Sequence, residues 1–186
     1  MLAMRTLVDQ TEVGHLIHNL ANAIRGDMTG GGWAMVGIKS RGDILAQRLA
    51  QVLGIKSLKG RVGSLDITLY RDDLSEIGSA AVVRTTDIPF SIDGLNIVLV
   101  DDVLMTGRSI RAAMQSLLDI GRPRRVWLSV LVDRGGRELP IRADHVGMDL
   151  SQQQMSSDEI VDVLLEPTDD RDAIVIHARS KGAAPA

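Results

Sequence analysis

The sequence predicts an α/β fold built around a parallel β-sheet. Two short, mostly apolar runs, at 97–100 and 126–132, are typical of strands that are buried on both faces. Segments with the apolar spacing of helices lie between such runs, and this alternation indicates a parallel sheet flanked by helices. The 186 residues suffice for one domain with a sizeable core, which we place at 1–178, followed by a disordered tail at 179–186.

The first part of the chain is predicted to contain two helices and two strands. Residues 9–25 have apolar side chains at helical spacing, which indicates an amphipathic helix, and the glycines at 30–32 follow it in a loop. Residues 34–38 form a short apolar strand, and a second helix is expected over 43–53. Residues 65–70 alternate between apolar and polar side chains, as a strand does.

The remaining elements follow a long polar stretch at 71–86 that has no clear periodicity. A loop of that length in a compact domain is usually functional or disordered. A helix over 108–119 follows the first buried strand, and the strand over 126–132 comes next. Two further apolar segments, at 160–165 and 173–177, are predicted to finish the sheet.

Composition argues against several classes of protein. The net charge of −3 disfavours binding to nucleic acid mainly through its backbone, and the presence of only four aromatic residues disfavours a base-stacking platform. Without cysteine, neither a disulfide nor a thiolate metal site can form, and the four dispersed histidines lack metal-ligand spacing. No apolar run approaches the length of a membrane span and no signal-peptide pattern is present, so we expect a cytoplasmic protein.

The most informative segment is residues 96–109, where a buried strand leads through polar residues into a helix. Ligands of open α/β sheets bind beyond the carboxyl ends of the strands, and the amino end of a helix offers unpaired N–H groups to a phosphate. The hydroxyls of Thr106 and Ser109 can add hydrogen bonds, and Gly107 lets the backbone approach a ligand closely. The segment therefore predicts a phosphate site.

Two adjacent carboxylates, Asp101 and Asp102, precede this cradle. They suit ribose hydroxyls or Mg²⁺, which prefers oxygen ligands and keeps several waters. Together with the cradle they predict a site for a sugar that carries a phosphate and a metal. The alternative is that the acids bind Mg²⁺ as in receiver-like folds, or only cap the next helix. Neither a P-loop nor a G-x-G-x-x-G motif is present.

Residues 96–109 resemble the phosphoribosyl pyrophosphate (PRPP) loop of type I phosphoribosyltransferases. The resemblance is narrowed to the PyrR family by three further segments, which occur in the order 37–42, 66–75 and 132–144. Its members are uracil phosphoribosyltransferases, many of which also regulate pyrimidine operons by binding mRNA. The resemblance covers about residues 7–176 and implies the type I phosphoribosyltransferase fold. This fold is a central five-stranded parallel sheet flanked by helices, with a small hood over the site.

The resemblance implies conversion of uracil and PRPP to UMP and diphosphate, with Mg²⁺ as cofactor. Four residues would bind the 5′-phosphate of PRPP, namely Thr106, Gly107, Arg108 and Ser109. Three residues would form the loop that leads into this cradle, namely Val103, Leu104 and Met105. Asp101 and Asp102 would hold the ribose hydroxyls, directly or through Mg²⁺.

Diphosphate would be bound by a second loop that consists of Lys39, Ser40, Arg41 and Gly42. The resemblance places a cis peptide bond in this loop, which we expect at Ser40–Arg41. Arg71 opens the long polar loop and would contact diphosphate when that loop closes. Asp133 and Arg134 match the region near the base.

Two positions depart from the family pattern. Met105 stands where PyrR-type enzymes commonly have tyrosine, and its thioether cannot usefully donate or accept a proton. This favours a pyrimidine with an acidic N–H over a purine as the accepting base. Gly136 stands where histidine is common.

RNA-binding members use a basic face to which Arg137 and Arg142 would contribute here. The first helix supports this role less, because residues 16–26 contain one arginine and no lysine. The alternative function is therefore an RNA-binding attenuator that senses UMP or UTP and has little catalytic activity. A phosphoribosyltransferase for another base is a third hypothesis. The resemblance also implies a homo-oligomer, dimeric or larger.

Overall fold

The computed structural model describes residues 4–54, 58–70, 85–156 and 158–178. The elements of these ranges are, in chain order, β1 (Arg5–Val8), α1 (Gln10–Asp27), β2 (Trp33–Ile38), α2 (Gly42–Leu53), β3 (Val62–Leu65), a 3-10 turn (Thr68–Tyr70), β4 (Asn96–Leu104), α3 (Arg108–Ile120), β5 (Arg125–Asp133), β6 (His145–Asp149), β7 (Glu159–Leu164) and β8 (Ala173–Ala178).

The centre of the molecule is a five-stranded parallel sheet with the order β3-β2-β4-β5-β6. The middle strands β2, β4 and β5 are buried along most of their length, as expected for strands covered on both faces. Helices α1 and α2 pack on one face, and α3 packs on the other. The predicted fold class is therefore confirmed.

A second sheet of three antiparallel strands, β1-β8-β7, packs against α1 and forms the hood. The prediction that residues 160–165 and 173–177 finish the parallel sheet is therefore wrong. The physical reason is the connection: only residues 165–172 join β7 to β8, whereas a parallel crossover needs a dozen or more residues. The fifth parallel strand is instead β6, which is too short and too mixed in character to be recognised from its sequence.

The predicted strand at 65–70 is also wrong in its bounds, because β3 already ends at Leu65. The side chain of Asp66 stops it: its Oδ1 atom accepts hydrogen bonds from the backbone N–H of Thr68 at 2.9 Å and from the Thr68 hydroxyl at 2.6 Å. Such a local side-chain bond favours a turn over a strand.

Two predicted features lie outside the described residues. They are most of the long loop at 71–86, including Arg71, and the tail at 179–186. Within the described ranges, no helix is long and apolar enough to cross a membrane.

Candidate active site

Three predicted segments meet at the carboxyl edge of the parallel sheet. The register pairs Gly37 of β2 with Val100 of β4, and Leu104 of β4 with Asp133 of β5. The diphosphate loop after β2, the polar end of β4 and the residues after β5 are therefore neighbours. This is the edge at which ligands bind in open α/β sheets.

The two acids lie within β4, because the strand continues through Leu104 rather than ending before them. Val103 and Leu104 are therefore strand residues and not part of a loop as predicted. Asp101 is only 6% exposed, and its burial together with the negative charge of Asp102 raises the pKa of its carboxyl group well above the ordinary value. Burial also raises the pKa of Asp102, although hydrogen bonds from its surroundings and the charge of Arg41 oppose that shift.

The chemistry of this carboxylate pair fits Mg²⁺. Among the described residues, no group of three or more histidine, cysteine, aspartate or glutamate side chains could form a metal cage. Mg²⁺ does not need such a cage, because it is usually held by one or two carboxylates, waters and the phosphates of a substrate. A cation would also relieve the repulsion between two buried carboxylates. Asp101 and Asp102 are therefore the residues that would hold it.

The predicted phosphate cradle forms the turn between β4 and α3. Gly107 has φ +90°, a backbone conformation that residues with a side chain rarely adopt, and it caps the amino end of α3. The Thr106 hydroxyl accepts a hydrogen bond from the backbone N–H of Arg108 at 3.3 Å. The Arg108 side chain is exposed and donates to Glu138 at 2.6 Å. The turn thus presents backbone N–H groups and hydroxyls at a helix amino end, as a phosphate requires.

The predicted diphosphate loop lies directly beside β4. A Cβ atom at Gly42 would stand 2.6 Å from the carbonyl oxygen of Val100, so only glycine allows this approach. The loop contains a cis peptide bond, as expected, but at Lys39–Ser40 and not at Ser40–Arg41. The Lys39 ammonium donates to the carbonyl oxygen of Thr85 at 2.6 Å.

Arg41 is held by the hood. Its Nε and Nη2 atoms donate to the two carboxylate oxygens of Asp169, both at 2.8 Å. Asp169 in turn accepts from the backbone N–H of Leu165. The hydrogen bonds from Arg41 lower the pKa of Asp169, and the same pair raises the pKa of Arg41.

Our sequence reasoning missed Asp169, which lies 128 residues from its partner. The only signal was a cluster of three acids, at 169, 170 and 172, between two apolar segments.

Asp133 is the last residue of β5 and Arg134 follows it, and both are 8% exposed. Asp133 accepts hydrogen bonds from the backbone N–H of Gly135 and from the side chain of Arg137. Arg134 donates to the carbonyl oxygens of Ser156 at 3.0 Å and Glu159 at 2.7 Å, which ties this segment to the start of β7. Their charged groups are thus bonded within the chain at the edge of the site.

Residues 5–164 match the family model of the phosphoribosyl transferase domain. The chain is 50% identical over 167 residues to the bifunctional protein PyrR of Thermus thermophilus, which covers 88% of both chains. It is 51% identical over 146 residues to the bifunctional protein PyrR of Bacillus cereus, which covers 77% of this chain and 79% of the relative. The chain belongs to the PyrR family of phosphoribosyltransferases.

Solved structures of other phosphoribosyltransferases share the fold. The hypoxanthine phosphoribosyltransferase from Trypanosoma cruzi superposes with a TM-score of 0.69 at 20% identity over 95% of both chains. An enzyme of that name from Staphylococcus aureus gives a TM-score of 0.62 at 18% identity over 80% of this chain and 78% of the other. At these identities the likeness concerns architecture alone.

The two departures from the PyrR pattern are neighbours in space. A Cβ atom at Gly136 would stand 3.8 Å from Cγ of Met105 and 3.2 Å from Nη1 of Arg134. Met105 and Gly136 therefore lie in one place, where the end of β4 meets the segment after β5.

The two arginines expected to bind RNA differ in their surroundings. The guanidinium of Arg137 is turned into the molecule and donates to the backbone of the PRPP loop as well as to Asp133. Arg142 is exposed. Arg142 thus has more free surface for an RNA contact than Arg137, whose side chain is 24% exposed.

Proposed function

We propose that this phosphoribosyltransferase uses uracil: it transfers the phosphoribosyl group of PRPP to uracil, giving UMP and diphosphate, with Mg²⁺ as cofactor. The observation that carries the proposal is the meeting of three groups at one sheet edge. They are the carboxylate pair of β4, the cradle from Thr106 to Ser109, and the Arg41 loop. Each suits one part of PRPP: ribose, 5′-phosphate and diphosphate.

The reaction breaks the bond between C1 of ribose and diphosphate and forms a bond from C1 to a nitrogen of uracil, whose proton passes to water or to the departing diphosphate. Positive charge develops on the ribose in such a transition state, as in glycoside hydrolysis. Asp101 and Asp102 hold the ribose hydroxyls, and the carboxylate of Asp102 places negative charge next to the ring. Bound Mg²⁺ would be held by the same two residues and would neutralise charge on the departing diphosphate.

Cationic donors surround the position proposed for diphosphate. Arg41 offers its planar guanidinium, which matches phosphate geometry, and Lys39 lies two residues earlier in the same loop. Arg71 follows Tyr70, whose hydroxyl bonds Asp119 at 3.0 Å and whose carbonyl oxygen accepts from Arg111. The start of the long loop is thus fixed on α3, from which Arg71 would reach diphosphate when the loop closes and excludes water.

The surroundings of Met105 support a pyrimidine as the accepting base. Met105 offers no group that could assist proton transfer from a purine, and Gly136 beside it adds no side chain. Uracil carries an acidic N–H and depends least on an enzymatic base. Asp133 and Arg134 would lie nearest to the base.

The test is steady-state formation of UMP from uracil and PRPP, with and without Mg²⁺. We expect metal-dependent turnover, and we expect Asp102→Asn to reduce kcat by at least about 100-fold, because it removes charge at the reacting ribose. Asp158→Asn, at an exposed acid outside the site, is the control and keeps wild-type activity. A panel of other bases completes the experiment. Turnover of a purine but not of uracil would overturn the proposed substrate.

A second function, regulation of pyrimidine genes through mRNA, is favoured by the relatives' name, bifunctional protein PyrR. We propose that exposed Arg142 contributes to RNA binding, while Arg137 does not contact RNA directly. The measurement is binding of a pyrimidine-operon leader RNA with and without UMP, for the wild type and for Arg142→Ala. Failure of the wild-type protein to bind the leader would leave the chain as an enzyme alone.

A further inference from the structure

Arg137 uses both ends of its guanidinium to connect the segment after β5 with the PRPP loop. Its Nη1 atom donates to the carbonyl oxygen of Met105 at 2.8 Å and to that of Leu104 at 3.3 Å. Its Nη2 atom donates to Asp133 at 2.5 Å, and its Nε atom donates to the carbonyl oxygen of Ile141 at 2.8 Å. One side chain therefore fixes two backbone groups at the entrance of the proposed phosphate cradle.

The segment that carries Arg137, residues 134–141, lies along the PRPP loop; we refer to it as the strap. The backbone N–H groups of Glu138 and Leu139 both donate to the carbonyl oxygen of Thr106, at 3.0 and 3.1 Å. The N–H of Arg134 donates to the carbonyl oxygen of Leu104 at 2.9 Å. A Cβ atom at Gly107 would lie 3.4 Å from Leu139 and from Ile141, so the strap also packs against the turn.

The direction of these bonds matters for the cradle. The strap binds the carbonyl oxygens of Leu104, Met105 and Thr106, and not the N–H groups that the amino end of a helix offers to an anion. The carbonyls of a turn rotate with its peptide planes, so fixing them also fixes the direction of the neighbouring N–H groups. Donors preorganised in this way bind an anion without paying for rearrangement of the loop.

We infer that Arg137 is a positioning residue for the 5′-phosphate cradle, acting through the backbone of Leu104 and Met105. The inference rests on the proposed function and deepens it. Loss of the guanidinium removes one donor from the carbonyl oxygens of Met105 and Leu104, of which Leu104 keeps the N–H of Arg134. It also leaves the carboxylate of Asp133, a residue that is 8% exposed, without its ion pair.

The experiment measures binding of ribose 5-phosphate by calorimetry, together with the KM values for PRPP and uracil, in the wild type and in Arg137→Met. Arg124→Met is the matched control, since Arg124 is an exposed arginine next to the opposite, amino edge of the sheet. We expect Arg137→Met to lower the affinity for ribose 5-phosphate by at least about tenfold and to raise the KM for PRPP by a similar factor. All constants of Arg124→Met stay near wild-type values, and in Arg137→Met the KM for uracil rises less than the KM for PRPP.

Rescue separates positioning from a merely structural role. Arg137→Lys keeps a cationic donor for Asp133 and one carbonyl, so it should recover part of the affinity. The double variant Asp133→Asn with Arg137→Met removes the buried unpaired charge; it should restore thermal stability but not ribose 5-phosphate affinity. Wild-type affinity in any folded variant without the guanidinium would overturn the inference.

Failure of the proposed function would be visible separately. If the wild type binds ribose 5-phosphate but does not convert uracil, the proposed substrate is wrong. The ratio of affinities between Arg137→Met and the wild type still decides the role of Arg137. If Arg137→Met does not fold, the double variant decides it.

Discussion

The two ends of the proposed PRPP site are held by different kinds of interaction. The 5′-phosphate cradle is held by the strap, mainly through hydrogen bonds to backbone carbonyl oxygens. The diphosphate loop is held by Arg41 and Asp169, an ion pair between side chains of the parallel sheet and the hood. The first arrangement is local to the sheet edge. The second depends on the charge of one carboxylate and on the docking of a separate sheet.

The two supports suit the different fates of the 5′-phosphate and of diphosphate in the proposed reaction. A phosphate that stays bound throughout the reaction is best met by a fixed cradle. A diphosphate that must leave is better met by a group that can exchange partners, and Arg41 has such a partner in Asp169. Substitutions that break the Arg41–Asp169 pair should therefore affect the use of PRPP but not the binding of ribose 5-phosphate.

The largest effect is expected from Arg41→Lys. Lysine keeps the charge but loses the planar pair of donors that spans both oxygens of Asp169 and that matches a phosphate. We expect kcat/KM for PRPP to fall by about 100-fold while ribose 5-phosphate binds normally. Steady-state kinetics and calorimetry measure the two quantities. An equal loss of kcat/KM for PRPP and of the affinity for ribose 5-phosphate would show that Arg41 and the strap do not act separately.

A smaller effect is expected from Asp169→Asn, for which Asp170→Asn at an exposed neighbouring acid is the control. Breaking this partly buried pair should raise the KM for PRPP by about tenfold, equivalent to about 1.4 kcal/mol. It should also cost about 1–2 kcal/mol of folding free energy. Urea denaturation measures the latter.

The pH dependence of that stability difference follows from the lowered pKa of Asp169. A carboxyl group whose pKa is lower in the folded chain stabilises fully above its unfolded pKa of about 3.9. This contribution is lost as pH falls through the folded value. The stability of the wild type should thus converge with that of Asp169→Asn in acid. A constant difference down to pH 2 would show that the charge is not involved.

The smallest effect is expected from Asp101→Asn, and this substitution should raise the stability of the protein instead of lowering it. Burial and the charge of Asp102 raise the pKa of Asp101, so the folded state favours the protonated form and loses stability as pH rises through the raised pKa. Asp101→Asn should therefore raise Tm at neutral pH, by about 2–4 °C for each kcal/mol gained. A thermal scan at pH 7 and at pH 4 measures this, and the gain should shrink at pH 4. A lowered Tm at neutral pH would contradict the assignment.

The features that could be predicted from the sequence are those whose residues are neighbours in the chain. The apolar run of β4, its two acids and the glycine turn that follows are adjacent in the chain, so their placement at a sheet edge could be derived from pattern and polarity. The hood could not be placed in the same way. Apolar spacing identifies β7 and β8 as strands but does not specify their partners, and β8 pairs with β1 from the other end of the chain.

Side-chain contacts between distant segments were equally out of reach. The resemblance made Arg137 a candidate for RNA binding, but the sequence does not reveal that its guanidinium donates to the carbonyl oxygen of Met105. Asp169 was missed for a related reason: nothing near it in the chain indicates Arg41 as its partner. The cis peptide bond was misplaced by one residue, since resemblance locates the loop but not the individual bond.

The pairing of β1 with β8 has a consequence for synthesis of the protein. Residues 5–8 leave the ribosome early, yet their partner strand, at 173–178, is among the last segments to be made. A nascent chain can therefore assemble the parallel sheet and its phosphate cradle long before the hood exists. A chain that ends prematurely before β7 also lacks Asp169, the residue that holds Arg41. Chains that end before β7 should thus bind a sugar phosphate but have no catalytic activity.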